Sequence, residues 1–373
     1  MGGIKLGKIF GFEISIDWSW LFIFFLVVYT LANGYFPSMY PTYGVAATWV
    51  MGLVAAVLLF LSVLTHEISH SVVARGYGIP VRGIVLFLFG GMAQTADEPK
   101  TPREEFEIAI AGPATSAGLG ILFYMLGGIG MTLQWPGPVV AVFGYVSLVN
   151  FLLAAFNLIP GFPLDGGRVL RSVVWAVTRD FTKATKHASF AGQACGYLLI
   201  AVGFGQILVG ALVNGLWLIF IGWFLAGAAR ASYQQTLMRQ ALSGLRVAQV
   251  MSTDVPFIPA DISVRRFIDD YLLRHDYSCY PVVSGDDVVG IVGIEQVRGV
   301  PSSDWDLIPV SRIAYKPDPS VRVSVDDDVW DALAKLANED VCHLLVMEDG
   351  QFKGTLGRDS VFRLIQKKLQ LGI

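Results

Sequence analysis

His66-Glu67-Ile68-Ser69-His70 holds residues of the right type, at the right spacing, to bind a metal ion and hydrolyse a bond with it. Positions four apart on an α-helix share a face. Two imidazoles placed this way can hold one Zn²⁺, and the carboxylate beside the first can act on water at the metal. The setting sharpens the reading, because residues 18 to 66 contain no Asp, Glu, Lys or Arg. Ionisable groups are costly to bury in such a span and are functional candidates for that reason. The plainer alternative is a pair of core histidines hydrogen-bonded to neighbours.

Hydrolytic zinc sites commonly use three protein ligands and leave a position for water. A third ligand must therefore come from elsewhere, and Asp165 stands out. It directly follows the uncharged stretch 108–164, within Asn157-Leu-Ile-Pro-Gly-Phe-Pro-Leu-Asp165-Gly-Gly-Arg168. Pro160 and Pro163 break a helix here, and Gly166 and Gly167 let the backbone approach closely. Asp165 could equally cap a helix starting near Arg168, and the local sequence leaves both readings open.

These residues need a scaffold, and composition indicates its class. The 373 residues suffice for two or three domains. Hydrophobic residues make up 54% and charged residues 15%, against about 25% charged in a soluble domain. The uncharged stretches 18–66, 108–164 and 188–229 each exceed the roughly 20 residues needed to cross a bilayer. Charge density becomes ordinary after about residue 238, so the last third is expected to be soluble. Six hydrophobic segments are predicted at about 19–39, 46–74, 104–128, 138–160, 190–211 and 214–235. The links 33–46, 128–138 and 210–215 lack Lys and Arg, so the basic residues of this half fall on the opposite face. The positive-inside rule makes that face cytoplasmic, together with both termini. A net charge of −3 argues against a nucleic-acid partner. Cys195, Cys279 and Cys342 are far apart and read as apolar filler, with no disulfide framework and no cysteine metal site.

Residues 78–95 are too short for a span and rich in Val, Ile, Phe and Gly. They predict a membrane-associated β-hairpin, shielded by protein or lining a cavity. Its strand edge could hold an unwound substrate segment, with Gly90 and Gly91 permitting close approach; the simpler role is a plug at the cavity mouth. Thr101-Pro102-Arg103-Glu104 reads as a helix start, and Pro113 should bend the helix that follows. Beyond residue 244, CYPVVSGDDVVGIVGIEQV and CHLLVMEDGQFKGTLGRDSV form an internal repeat.

The HExxH motif in the second span, followed downstream by NLIPGFPLDGGR, resembles the site-2 protease family of intramembrane zinc metalloproteases (peptidase M50-like). Phe89-Gly90-Gly91, Ala111-Gly112-Pro113 and the opening GKIFGFEISIDWSW also match that family. The repeat resembles a tandem pair of CBS domains, so the likeness covers the whole chain as a CBS-bearing subgroup. It implies one Zn²⁺ per chain, bound by His66, His70 and Asp165, with Glu67 as general base toward zinc-activated water. It further implies that Asn157 touches the substrate or the developing oxyanion, and that Phe89, Gly90 and Gly91 handle the substrate. The substrate would be a membrane-spanning protein, cut within the lipid of a prokaryotic plasma membrane. Nucleotide-binding CBS modules usually carry Gly-x-x-Thr/Ser-x-x-Asp. Here Gly293 and Gly357 replace the hydroxyl residue, and Gln296 and Ser360 replace the acid. That departure puts adenine-nucleotide binding in question and sets homodimerisation or substrate docking beside it.

The expected fold is an α-helical polytopic membrane domain of six transmembrane helices plus a β-hairpin, followed by an α/β tandem CBS module. The expected boundaries are 1–238, 244–302 and 305–373. A CBS-regulated transporter or scaffold, or a catalytically inactive relative, are the competing readings. Transporters also use broken helices at mid-membrane, but they need neither HExxH nor the Leu164-Asp165-Gly166 acid.

Overall fold

Apolar composition fixes the scaffold. A computed structural model of the chain describes residues 3–87, 90–95, 97–275, 277–285, 287–316, 321–338, 342–362 and 364. Two compact units result, Met1–Thr236 and Leu237–Ile373.

The first unit begins with strands β1 (Gly3–Ile9) and β2 (Phe12–Asp17). Helix α1 (Trp18–Thr30) continues through a π-helical turn (Leu31–Tyr35) into α2 (Phe36–Met39), and together they form the first span. Next come α3 (Val45–Gly76), strands β3 (Val81–Phe87) and β4 (Gly90–Thr95), α4 (Pro102–Thr132) and α5 (Gly137–Asn157). A short helix α6 (Asp165–Thr178) precedes the last two spans, α7 (Phe181–Leu208) and α8 (Leu212–Leu242). Among the described residues six helical stretches can cross a membrane, and α6 is not one of them. Large apolar side chains stand outward on the spans, such as Leu208 and Val213 at 87% and 79% exposure. In a bilayer that surface meets hydrocarbon rather than water.

The fifth span starts earlier than hydropathy predicts. Asp180 caps α7 by accepting a bond from the Lys183 amide at 2.9 Å, so polar turns precede the apolar run. Thr101 caps α4 as expected, accepting from the Glu104 amide at 3.2 Å. Helix α4 runs through Pro113 without interruption.

The expected hairpin is half of a larger element. Strands β1–β4 form one sheet in that order, with β2 parallel to β3 and the other pairs antiparallel. The sheet lays Phe12, Ile14 and Ile84 onto Leu64 and Ile68 of α3, the turns that carry the HExxH motif. Strands β1 and β4 are the edges. Phe89, expected to handle substrate, lies outside the described residues.

In the second unit, β5 (Ile258–Pro259), β6 (Cys279–Ser284) and β7 (Asp287–Gly293) form one three-stranded sheet. A second sheet contains β8 (Arg322–Ser324), β9 (His343–Glu348) and β10 (Gln351–Gly357). Each sheet has one parallel and one antiparallel pair, as expected of a repeat. The register equates Cys279 with His343, since each pairs with the closing glycine of its hairpin. The reading of the cysteines is corrected here: Cys279 and Cys342 form a disulfide, with Cα atoms 6.2 Å apart, inside the usual range for such bridges. Linear spacing concealed it because the apolar cluster of Cys279, Ile291 and Leu345 packs the two repeats together and closes a separation of 63 residues. Cys195 remains a free cysteine.

Candidate metal centre

Helix α3 has 32 residues, about 48 Å at 1.5 Å per residue, which exceeds a bilayer core of about 30 Å. His66 sits ten residues before its end at Gly76, so the site is about 15 Å in from the helix terminus. Both histidines are buried, at 4% and 6% exposure.

Asp165 meets them from α6. That helix begins at Asp165 itself rather than near Arg168, and Leu164 occupies the cap position with no side-chain capping bond. The carboxylate is therefore not spent as a cap. Its Oδ2 lies 3.1 Å from His66 Nε2 and 3.2 Å from His70 Nε2, and the two Nε2 atoms are 3.2 Å apart.

Helix α4 decides what those nitrogens can do. His70 Nδ1 lies 2.6 Å from the Ile108 carbonyl, which only accepts, so Nδ1 carries a proton and, in the neutral ring, Nε2 keeps a lone pair. His66 Nδ1 lies 2.9 Å from Ser116 Oγ, which can accept in the same way. Two lone pairs and an anionic oxygen then face one another at 3.1–3.2 Å, an arrangement that is favourable around a shared cation. Tetrahedral ligands at about 2.0–2.1 Å from Zn²⁺ are themselves about 3.3 Å apart. The donor set fits that ion.

Gly112 lies between Ile108 and Ser116 on the same stripe of α4. A Cβ there would collide with Nε2 of both histidines. Gly91 on β4 plays the matching role for Glu67, since a Cβ there would fall against the Glu67 side chain, 2.9 Å from Cδ. The edge strand therefore lies directly on the carboxylate of the motif. Gly90 opens that strand with φ +133°, a conformation side chains resist. Asn157 ends α5, half-buried, and no described hydrogen bond uses its side chain.

A buried ion-pair cluster fastens the helix that carries Asp165. Glu105 of α4 is fully buried, and its Oε1 accepts from Arg171 Nη2 at 2.7 Å and Arg168 Nε at 3.1 Å. Both arginines belong to α6. Sequence reading missed Glu105, Ile108, Ser116, Arg168 and Arg171 as parts of the site. The 105, 108, 112, 116 spacing on one helical face was the available signal.

A multi-span membrane scaffold that buries two histidines and brings an aspartate onto them beside a glutamate is the build of a membrane-embedded metallohydrolase. The model of peptidase family M50 matches residues 54–135 and 130–203, and that of the CBS domain matches 247–302 and 310–367. The sequence is 35% identical over 366 residues to a Synechocystis protein named "Putative zinc metalloprotease sll0528", covering 97% of this chain and 95% of that one. It is 30% identical over 367 residues to zinc metalloprotease MJ0392 of Methanocaldococcus jannaschii, covering 96% and 95%. A solved site-2 protease from the same archaeon is 29% identical, with a TM-score of 0.42 over 62% of this chain and 95% of that one. The chain belongs to peptidase family M50, the site-2 protease family of zinc metalloproteases, in a form that carries a CBS pair.

Proposed function

We propose that the chain is an intramembrane endopeptidase in which His66, His70 and Asp165 hold one Zn²⁺ and Glu67 is the general base. The observation that carries this is the convergence of His66 Nε2, His70 Nε2 and Asp165 Oδ2 within 3.2 Å of one another. When bound, the ion would polarise the scissile carbonyl and acidify water at neutral pH. The Glu67 carboxylate takes a proton from the attacking water and passes it to the leaving amine. Ile108 and Ser116 keep the imidazoles in the orientation that ligation needs, as outer partners of metal-binding histidines do. Asn157 donates toward the carbonyl oxygen as negative charge develops there.

The substrate is a membrane-spanning protein. Its helical carbonyls are already hydrogen-bonded, so it must unwind before attack. Strand β4 supports a means of capture, because an unwound segment can extend the sheet at its edge beside Glu67. The basic residues of the membrane half favour a cytoplasmic placement for β1–β4, α6 and both termini. The CBS pair regulates or dimerises the enzyme. Calorimetry with ATP and AMP on the full chain tests nucleotide sensing, and absence of heat for both removes it.

The deciding experiment measures zinc in the purified protein and follows cleavage of a membrane-spanning substrate by wild type and Glu67→Gln. Wild type should cleave and Glu67→Gln should retain zinc without cleaving. Equal cleavage by both would refute the mechanism.

A further inference from the structure

A second site lies away from the metal centre, where the start of α4 faces the far end of α6. A cleft of about 720 Å³ opens there, lined by Lys100, Arg103 and Arg179 together with Phe106, Val173 and Trp175. Among the described residues no carboxylate lines it, although Glu104 Oε2 accepts from the Lys100 amide at 2.8 Å. Arg103 shares its charge with Glu107 at 2.7 Å. Lys100 and Arg179 make no ion pair among the described residues, and all three cations are exposed. The wall beside them is apolar and open, with Phe106 40% exposed, Val173 52% and, one turn on, Val177 80%. Trp175 stands between these zones with its ring edge-packed on Phe181 at 4.9 Å, in the manner of indoles at a membrane interface.

We propose that this cleft binds one anionic glycerophospholipid. Its phosphate would sit among Lys100, Arg103 and Arg179, and its acyl chains would cover Phe106, Val173 and Val177. Basic clefts between membrane helices recognise acidic headgroups by this chemistry. The apolar wall argues for a lipid over a free anion, which would leave that surface uncovered. Location agrees: two spans, α4 and α5, separate the start of α4 from α6, so both walls lie at one membrane face. The reading is independent of peptide hydrolysis.

The test uses the full chain, delipidated in detergent and examined by native mass spectrometry. Phosphatidylglycerol and phosphatidylcholine with the same acyl chains are supplied, with and without inorganic phosphate. Wild type should retain phosphatidylglycerol at least tenfold better. Each basic residue near an anionic headgroup contributes about fivefold, so Lys100→Gln with Arg179→Gln should lower phosphatidylglycerol retention about 25-fold and leave phosphatidylcholine unchanged. The charge-keeping pair Lys100→Arg and Arg179→Lys should retain the preference, which separates charge from folding. Equal retention of both lipids by wild type, or a preference that survives the Gln pair, would overturn the proposal. Displacement of phosphatidylglycerol by millimolar phosphate would also overturn it, in favour of a free-anion site.

Discussion

Replacing Glu105 should loosen the metal centre without touching a ligand. Its Oε1 is the shared acceptor for Arg168 and Arg171 at 3.1 and 2.7 Å, and its side chain is fully buried. Glu105→Ala leaves two guanidinium groups facing each other without their anion. Removing one partner of a buried ionic cluster costs about 3–5 kcal/mol, because the remaining charge stays desolvated. The lower figure alone shifts the docking of α6 on α4 by about 150-fold. Asp165 is the first residue of α6, three positions before Arg168, so metal affinity should fall with docking. Outer partners of metal ligands typically contribute about 10–100-fold in affinity. Competition against a zinc chelator, with thermal unfolding in the same detergent, measures both quantities. Glu105→Gln, which keeps an acceptor oxygen, should fall between wild type and Ala. Replacing all three residues by Met should recover much of the lost unfolding temperature, since whole buried ionic clusters can be exchanged for apolar packing at little cost. A Glu105→Ala protein with zinc affinity within about twofold of wild type and an unchanged melting temperature would refute this account.

Gly112→Ala places a methyl against Nε2 of His66 and His70. Zinc content measured by mass spectrometry should fall about tenfold or more, and full occupancy would show that α4 does not shape the site. Gly91→Val crowds the Glu67 side chain from β4; cleavage should drop about 100-fold while zinc is retained, and unimpaired cleavage would remove β4 from substrate handling. Cys342→Ser opens a bridge that spans 63 residues. Loop entropy sets the loss near 4 kcal/mol, so the second unit should melt earlier by calorimetry, and reductant should reproduce the shift in wild type but not in the variant.

What the sequence disclosed was local or covalently continuous. The spans follow from unbroken apolar runs, the Thr101 cap from four adjacent residues, and the two histidines from helical periodicity. Asp165 was visible as an acid after a long uncharged run; local sequence left cap and ligand open, the resemblance alone implied the ligand, and the structure removes the cap. Partners far apart in the chain stayed hidden. Glu105 reads as an ordinary first-turn acid, and its arginines lie 63 and 66 positions away. Gly112 suggests backbone bending beside Pro113, whereas its role is to leave room for two imidazole rings. The alternation of buried Phe12, Ile14 and Ile16 with less buried Glu13, Ser15 and Asp17 was a legible strand signal. Its parallel pairing with β3 was not, because that pairing crosses about 70 residues. The cysteine bridge was missed for the same reason.

That parallel pairing also governs the order of assembly. Glu13 to Ile16 align with Gly83 to Leu86, and the intervening chain crosses the membrane twice. Strands β1 and β2 emerge first and can pair with each other, but the second edge of β2 has no partner until both spans have been inserted and β3 has returned to the same face. At about 5–20 residues per second, that wait lasts roughly 4–14 s. Phe12 and Ile14 lack Leu64 and Ile68 to cover them until α3 has been made, and β2 presents an open edge until β3 follows. A ribosome stalled before β3 would leave an adhesive ribbon at the membrane surface, so the first-made part of the chain waits on later synthesis to become safe.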